Sequence, residues 1–115
     1  MPVRKYAEVE AVKVEMDGIK NVTKKVPIGK DEGWENYTMR TFTIGAGGFT
    51  PSHKHDWEHV NYIIRGKGKL KIGEETFDLS EKDFAFVPPN THHQFNNPYD
   101  EDFEFICIVP NRGES

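Results

Sequence analysis

The chain has 115 residues, of which 36% are apolar, 30% charged and 12% aromatic. That is the length of one domain, with too large an aromatic load for a disordered chain. The net charge is −4, from fifteen basic and nineteen acidic residues with no basic cluster, which argues against a nucleic-acid or anionic-membrane partner.

Ten Gly and seven Pro favour short strands and turns over a helical bundle. The single Cys107 rules out an intrachain disulfide and zinc sites built of clustered thiolates. The longest apolar runs, such as Ile106-Cys107-Ile108-Val109, fall far short of a membrane span. The start, Met1-Pro2-Val3-Arg4-Lys5-Tyr6 followed by Glu8 and Glu10, has no apolar segment of the secretory kind. A reducing cytoplasm is the expected location.

Taken in chain order, the elements are short and separated by turn residues. Val9, Ala11 and Val14 to Met16 predict a first strand closed by Asp17-Gly18, and Val22 to Ile28 a second that ends or becomes an edge at Pro27. Asn36 to Ile44 alternates Tyr37, Met39, Thr41 and Thr43 against Thr38, Arg40, Phe42 and Ile44, and Gly45-Ala46-Gly47-Gly48 is expected to stop it. His59 to Arg65 is a strand ended by Gly66-Lys67-Gly68. Lys69 to Ile72 and Glu75 to Leu79 form a hairpin that turns at Gly73. Phe84 to Val87, His92 to Asn96 and Phe103 to Val109 complete a set of about ten strands, with no helical stretch of ten or more residues. The tail from Asn111 to Ser115 is expected to fray. The expected fold class is all-β, a sandwich or barrel.

The five histidines are not scattered. His53 and His55 are two apart, so on a strand both leave the same face, and His59 keeps that parity if the chain stays extended. His92 or His93 supplies a fourth from about 35 residues on, well placed for a neighbouring strand. Three or four neutral imidazoles converging from facing strands suit Zn, Cu, Fe, Ni or Mn. Parity places Asn61 and Ile63 with His59, Phe95 with His93, and Phe103, Phe105, Cys107 and Val109 together on the last strand. An interior of Phe, Ile and Val favours a small, mostly apolar substrate or one aromatic ring. Arg40, if its face is interior, can take a carboxylate in bidentate fashion; otherwise it is an exposed strand residue. Trp57 either covers the mouth of the site or anchors the sheet. Cys107 is a pocket residue or a small buried hydrophobe.

Two segments resemble the cupins. Gly48-Phe49-Thr50-Pro51-Ser52-His53-Lys54-His55-Asp56-Trp57-Glu58-His59, running on to Gly66, is similar to the first cupin motif. Lys82-Asp83-Phe84-Ala85-Phe86-Val87-Pro88-Pro89-Asn90-Thr91-His92-His93-Gln94-Phe95-Asn96 is similar to the second. The chain departs from the common pattern in having His59 where a Glu is usual, and Lys82 and Asn90 where Gly is usual; Asn tolerates positive φ in such a turn. His-Asp-Trp-Glu-His, Pro-Asn-x-x-His-x-Phe and Glu-Phe-Ile-Cys-Ile-Val-Pro resemble the small single-domain manganese cupins with four-histidine sites.

The resemblance implies one jelly-roll-like barrel domain over 1–115, with both motifs within 35–110 and N-terminal strands in 1–30 that pair with a second subunit as a homodimer. It implies one divalent transition metal per chain, first manganese and otherwise iron, zinc or nickel, on His53, His55, His59 and His93, with His92 outward. Arg40, Trp57, Phe95, Phe105 and Cys107 are the pocket residues, and Gln94, Asn61 and Glu58 the candidates to hold the rings. Four neutral ligands leave the ion's charge uncompensated and its Lewis acidity high. The expected function is oxidative catalysis on a small organic molecule, using dioxygen or peroxide. The alternatives are a non-catalytic module binding a metal or small molecule, and a non-redox isomerase or lyase.

Overall fold

A computed structural model describes residues 3–113. Among them are nine strands, β1 (Val12–Val14), β2 (Lys20–Ile28), β3 (Tyr37–Phe49), β4 (His59–Arg65), β5 (Gly68–Ile72), β6 (Glu75–Leu79), β7 (Phe84–Val87), β8 (His93–Asn96) and β9 (Phe103–Pro110). Helix is confined to three short 3-10 turns, at Tyr6–Glu8, Lys30–Glu32 and Asn111–Gly113. All strand pairs are antiparallel, in the order β6-β5-β8-β3-β9-β4-β7, with β2 also on β3 and β1 on β2. The all-β cupin-type expectation holds. β4, β6 and β7 fall where the alternation predicts.

The sheet curls round its apolar face. On β9, Phe103, Phe105, Cys107 and Val109 are all buried, as the period of two requires, and on β4 His59, Asn61 and Ile63 are buried likewise. Phe95 of β8 stacks on Phe105 with ring centroids 4.2 Å apart, and Ile44, Ile63 and Leu70 close the same cluster. Truncating Phe105 to Ala in such packing costs about 3–5 kcal/mol.

Several expectations need correction. The first strand is shorter than predicted, because Tyr6–Glu8 forms a 3-10 turn and only Val12–Val14 pairs with β2. β3 does not stop at the glycine run but continues to Phe49. Between the pairs Lys20↔Phe49 and Val22↔Ile44, β2 advances two residues while β3 advances five. The surplus bends β3 so that Tyr37 to Ile44 pair with β9 and Phe49 pairs with Asn96 of β8. Gly48 is needed at this corner, because a Cβ there would lie 2.5 Å from the Lys20 carbonyl oxygen. Pro27 sits in a smaller bulge, between Lys25↔Thr41 and Ile28↔Met39, beyond the reach of β1. It therefore breaks no ladder.

Asn111 to Gly113 are held rather than frayed. Asn111 Oδ1 accepts from Thr38 Oγ1 at 2.7 Å and Arg112 Nη2 donates to the Asp56 carbonyl at 3.1 Å. Residues 114 and 115, the rest of that predicted tail, lie outside the described residues. Asn90 takes φ 61 in the turn before β8, as anticipated, while Lys82 adopts φ 76 without the freedom of glycine.

Candidate metal centre

The second motif meets the first by a direct pairing. His93 N–H donates to the His53 carbonyl at 2.9 Å, and His53 N–H donates back to the His93 carbonyl at 3.2 Å. His55 lies two residues along, and its carbonyl accepts from Asn90 N–H at 2.7 Å. His59 starts β4, which is not a neighbour of β8 in the sheet, so only the curl of the barrel brings it opposite His93. The nearest ligand atoms of His53, His55 and His93 all lie within 4.8 Å of one another. His59 Nε2 lies 3.3 Å from His93 Nε2. His53, His55, His59 and His93 thus form one cluster, with His55 4.9 Å from His93 and 5.7 Å from His59 between ring centroids.

Three of these rings have their tautomer fixed. His55 Nδ1–H donates to the Trp57 carbonyl at 2.9 Å and His93 Nδ1–H to the Thr91 carbonyl at 2.9 Å. His59 Nδ1–H donates to Asn61 Oδ1 at 2.7 Å. The Asn61 amide is itself oriented, since its Nδ2 donates to the Ile106 carbonyl at 3.3 Å and so turns Oδ1 to the ring. Each Nε2 then carries a lone pair rather than a proton. Two lone pairs facing each other across 3.3 Å repel unless a cation lies between them. The donor set therefore fits a divalent transition metal bound through Nε2.

The electrostatics favour the same state. Burial lowers the pKa of His59 and of His93 to about 4. Burial, and then neighbouring charges, also lower His53 and His55, with Arg40 among those acting on His55. The cluster is neutral at pH 7, as metal ligation requires.

A cavity of about 260 Å³ opens over the imidazoles. Of the pocket residues expected from sequence, Arg40, Trp57, Phe95, Phe105 and Cys107 all line it. Trp57 stacks flat on His55, with centroids 4.2 Å apart and planes 5° apart. Gly113 lies against the indole so closely that a Cβ there would stand 2.6 Å from Trp57 Nε1. Arg40 donates from Nη2 to Cys107 Sγ at 3.1 Å, with its Cζ 4.9 Å from the Phe42 centroid. His92 is exposed beside the cluster.

Of the expected ring partners, Asn61 takes that role. Gln94 instead donates to the Thr50 carbonyl at 2.9 Å, and Glu58 is not among the ring partners. The other two partners are backbone carbonyls, which residue identity cannot announce. Val14, Met16, Ile19 and Lys24 of the N-terminal hairpin also line the cavity. Sequence reading missed them; apolar residues bracketing the Asp17-Gly18 turn were the available signal. A wider cleft of about 480 Å³ lies beside the Lys30–Glu32 turn; Arg4 and Glu32 pair within it at 2.5 Å, and no imidazole lines it.

Comparison with known proteins places this geometry in context. Residues 40–109 match the cupin domain profile. A 1-methylthio-D-xylulose 5-phosphate methylsulfurylase of Rhodospirillum rubrum is 31% identical over 71 residues, 62% of this chain and 46% of that protein. A 3-hydroxyanthranilate 3,4-dioxygenase of Shewanella woodyi is 30% identical over 95 residues, 78% of this chain and 50% of that protein. The chain thus spans half or less of the length of these curated relatives. The solved structure of a polyketide cyclase from Streptomyces resistomycificus superposes with a TM-score of 0.89 at 25% identity, covering 96% of this chain and 79% of the other. The paired motifs, the curled antiparallel sheet and the profile match agree: the chain belongs to the cupin domain family.

Proposed function

We propose that this chain is a metal-dependent cupin enzyme that holds one divalent transition metal, manganese in the first instance, on His53, His55, His59 and His93 and performs oxidative chemistry on a small organic molecule. The observation that carries the reading is the pair of facing Nε2 atoms 3.3 Å apart on His59 and His93, whose Nδ1 atoms, like that of His55, each donate to a fixed acceptor. A bound manganese or iron supplies Lewis acidity and one-electron redox chemistry. The chain's own part is to hold four neutral imidazoles, to keep His59 oriented through Asn61, and to wall the substrate with Phe42, Phe95, Phe105 and Trp57.

Those aromatic walls exclude water and favour a flat, apolar substrate. Arg40 and Lys24 set positive charge in the same cavity, and none of the described residues lining it is acidic. The likeness to a dioxygenase over 78% of the chain supports oxidative chemistry. A second reading, non-redox cyclisation or elimination with the metal as Lewis acid, is favoured by the likeness to a polyketide cyclase over 96% of the chain.

Element analysis of protein purified without chelator or polyhistidine tag, with an electron paramagnetic resonance spectrum of the same sample, separates the two. About one Mn or Fe per chain is the expected result and leads to oxygen-uptake assays with small aromatic compounds. Stoichiometric Zn or Ni transfers the assignment to the non-redox reading. Failure to take up any of these ions on reconstitution refutes both.

A further inference from the structure

We propose that Trp57 is a positioning residue for the metal ligand His55, and that the Asn111–Gly113 turn after β9 clamps it in that role and so sets how tightly the centre binds its metal; this rests on the metal reading of the four-histidine site. His55 lies in the irregular segment between β3 and β4, whereas His59 and His93 belong to strands. Trp57 holds the His55 ring in two ways. Its carbonyl accepts from Nδ1–H at 2.9 Å, and its indole stacks on the imidazole with planes 5° apart. The stack fixes the tilt of the ring and the hydrogen bond its direction in the plane, so that Nε2 faces the cluster. Both contacts join residues of one short segment. They orient the ring on the segment, and a second hold is needed to orient Trp57 on the barrel.

The turn after β9 supplies it. Gly113 is buried against the indole, where a Cβ would stand 2.6 Å from Trp57 Nε1 and 2.9 Å from Cδ1. Its φ is not in the left-handed region, so the contact and not the backbone requires glycine there. Arg112 Nη2 donates to the Asp56 carbonyl at 3.1 Å; the 3.8 Å ion pair of Arg112 with the Asp56 carboxylate is exposed and adds little. The turn is itself tied to β3 and to the residues before it. Asn111 Oδ1 accepts from Thr38 Oγ1 at 2.7 Å, Asn111 N–H donates to the Asn36 carbonyl at 3.1 Å, and Asn111 Nδ2 donates to the Glu35 carbonyl. Contacts thus run without a break from the barrel wall through the turn and Trp57 to one ring of the centre. Outer groups that orient a metal-binding histidine carry about 10- to 100-fold in affinity.

The test is the Mn²⁺ affinity of the full chain, by competition with a chromophoric chelator, together with long-range ¹H–¹⁵N spectra of the histidine rings in chelator. Gly113→Ala and Trp57→Leu are expected to weaken Mn²⁺ binding by about 10- to 100-fold and to turn the single Nδ1–H tautomer of His55 into a mixture. Trp57→Phe, which keeps a ring face, is expected to retain most of the affinity. Leu79→Ala truncates a buried residue outside the cavity lining and is the control, lowering Tm while leaving affinity and tautomer as they were. Near-ultraviolet circular dichroism checks that each variant is folded. Affinity unchanged in Gly113→Ala and Trp57→Leu, or a His55 tautomer that neither variant alters, overturns the clamp while the unaltered chain still loads its metal. A loss in Trp57→Phe as large as in Trp57→Leu, or in Leu79→Ala as large as in Gly113→Ala, overturns it as well, since the effect is then one of general stability. An unaltered chain that takes up none of Mn, Fe, Zn or Ni refutes the metal reading, and the clamp with it.

Discussion

Lowering the pH of metal-free protein from 7 to 5 is expected to destabilise it through His59. The folded-state pKa of this residue is lowered by burial to about 4, against an ordinary value of 6.5. Between those values the unfolded chain binds a proton that the native site refuses, so unfolding gains from acid. The stability that the neutral ring confers is fully present above pH 6.5 and is lost as the pH falls towards 4. At pH 5 the difference from 6.5 amounts to about 2 kcal/mol, at about 1.4 kcal/mol per pH step. For a domain of this size that lowers Tm by about 8 °C. His93 moves in the same direction and adds a smaller, solvent-screened contribution. Ordinary carboxylates titrate below this window. Differential scanning calorimetry in chelator at half-unit steps measures the slope, and His59→Leu is expected to remove most of it while His92→Ala leaves it unchanged. A Tm flat within about 2 °C from pH 7 to 5, or a slope retained in His59→Leu, refutes the account of a buried neutral cluster.

Three further outcomes follow from the geometry. His93→Ala should abolish stoichiometric metal uptake by element analysis whereas His92→Ala should not, because only His93 shares the cluster. Asn61→Leu removes the acceptor that fixes the His59 tautomer and is expected to weaken metal affinity by about 10- to 100-fold in competition with a chromophoric chelator, with the fold retained. Lys82→Gly relieves a left-handed backbone at an exposed turn and is expected to raise stability by about 1 kcal/mol, read as a Tm about 4 °C higher.

Legibility in the sequence followed the range of the forces involved. Side-chain alternation is local, so β4 and β7 and the inward sets on β4 and β9 could be read directly. The four histidines could be gathered because three sit in one short segment and the fourth starts a strand 34 residues beyond His59. The corner in β3 could not be read that way. A run of Gly45 to Gly48 is an ordinary turn signal, and only the partner strands on either side of the bend show that the chain continues in extended form. The Trp57 and Thr91 carbonyls were equally hidden, since every residue has one and the fold alone decides which faces a ring.

The division of the site between shared and unshared sequence bears on specificity. Residues 40–109, which match the family profile, contain all four histidines, Asn61 and the aromatic floor of Phe95 and Phe105. Val14, Met16, Ile19, Lys24 and Gly113 lie outside that stretch yet border the same cavity. The histidine cluster is held by the barrel's own strands, through His53–His93 pairing and the His59–Asn61 bond, and none of these contacts involves the hairpin residues. The wall of the cavity does include them. A hairpin packed on β3 by strand pairing can change side chains without disturbing a ring tautomer, whereas Gly113 is held to glycine by the Trp57 indole that stacks on His55. In the proposed enzyme, that arrangement separates the choice of molecule from the chemistry done on it. Proteins similar to this chain carry names that describe a methylsulfurylase, a dioxygenase and a polyketide cyclase, in keeping with a fold that does not by itself fix the reaction.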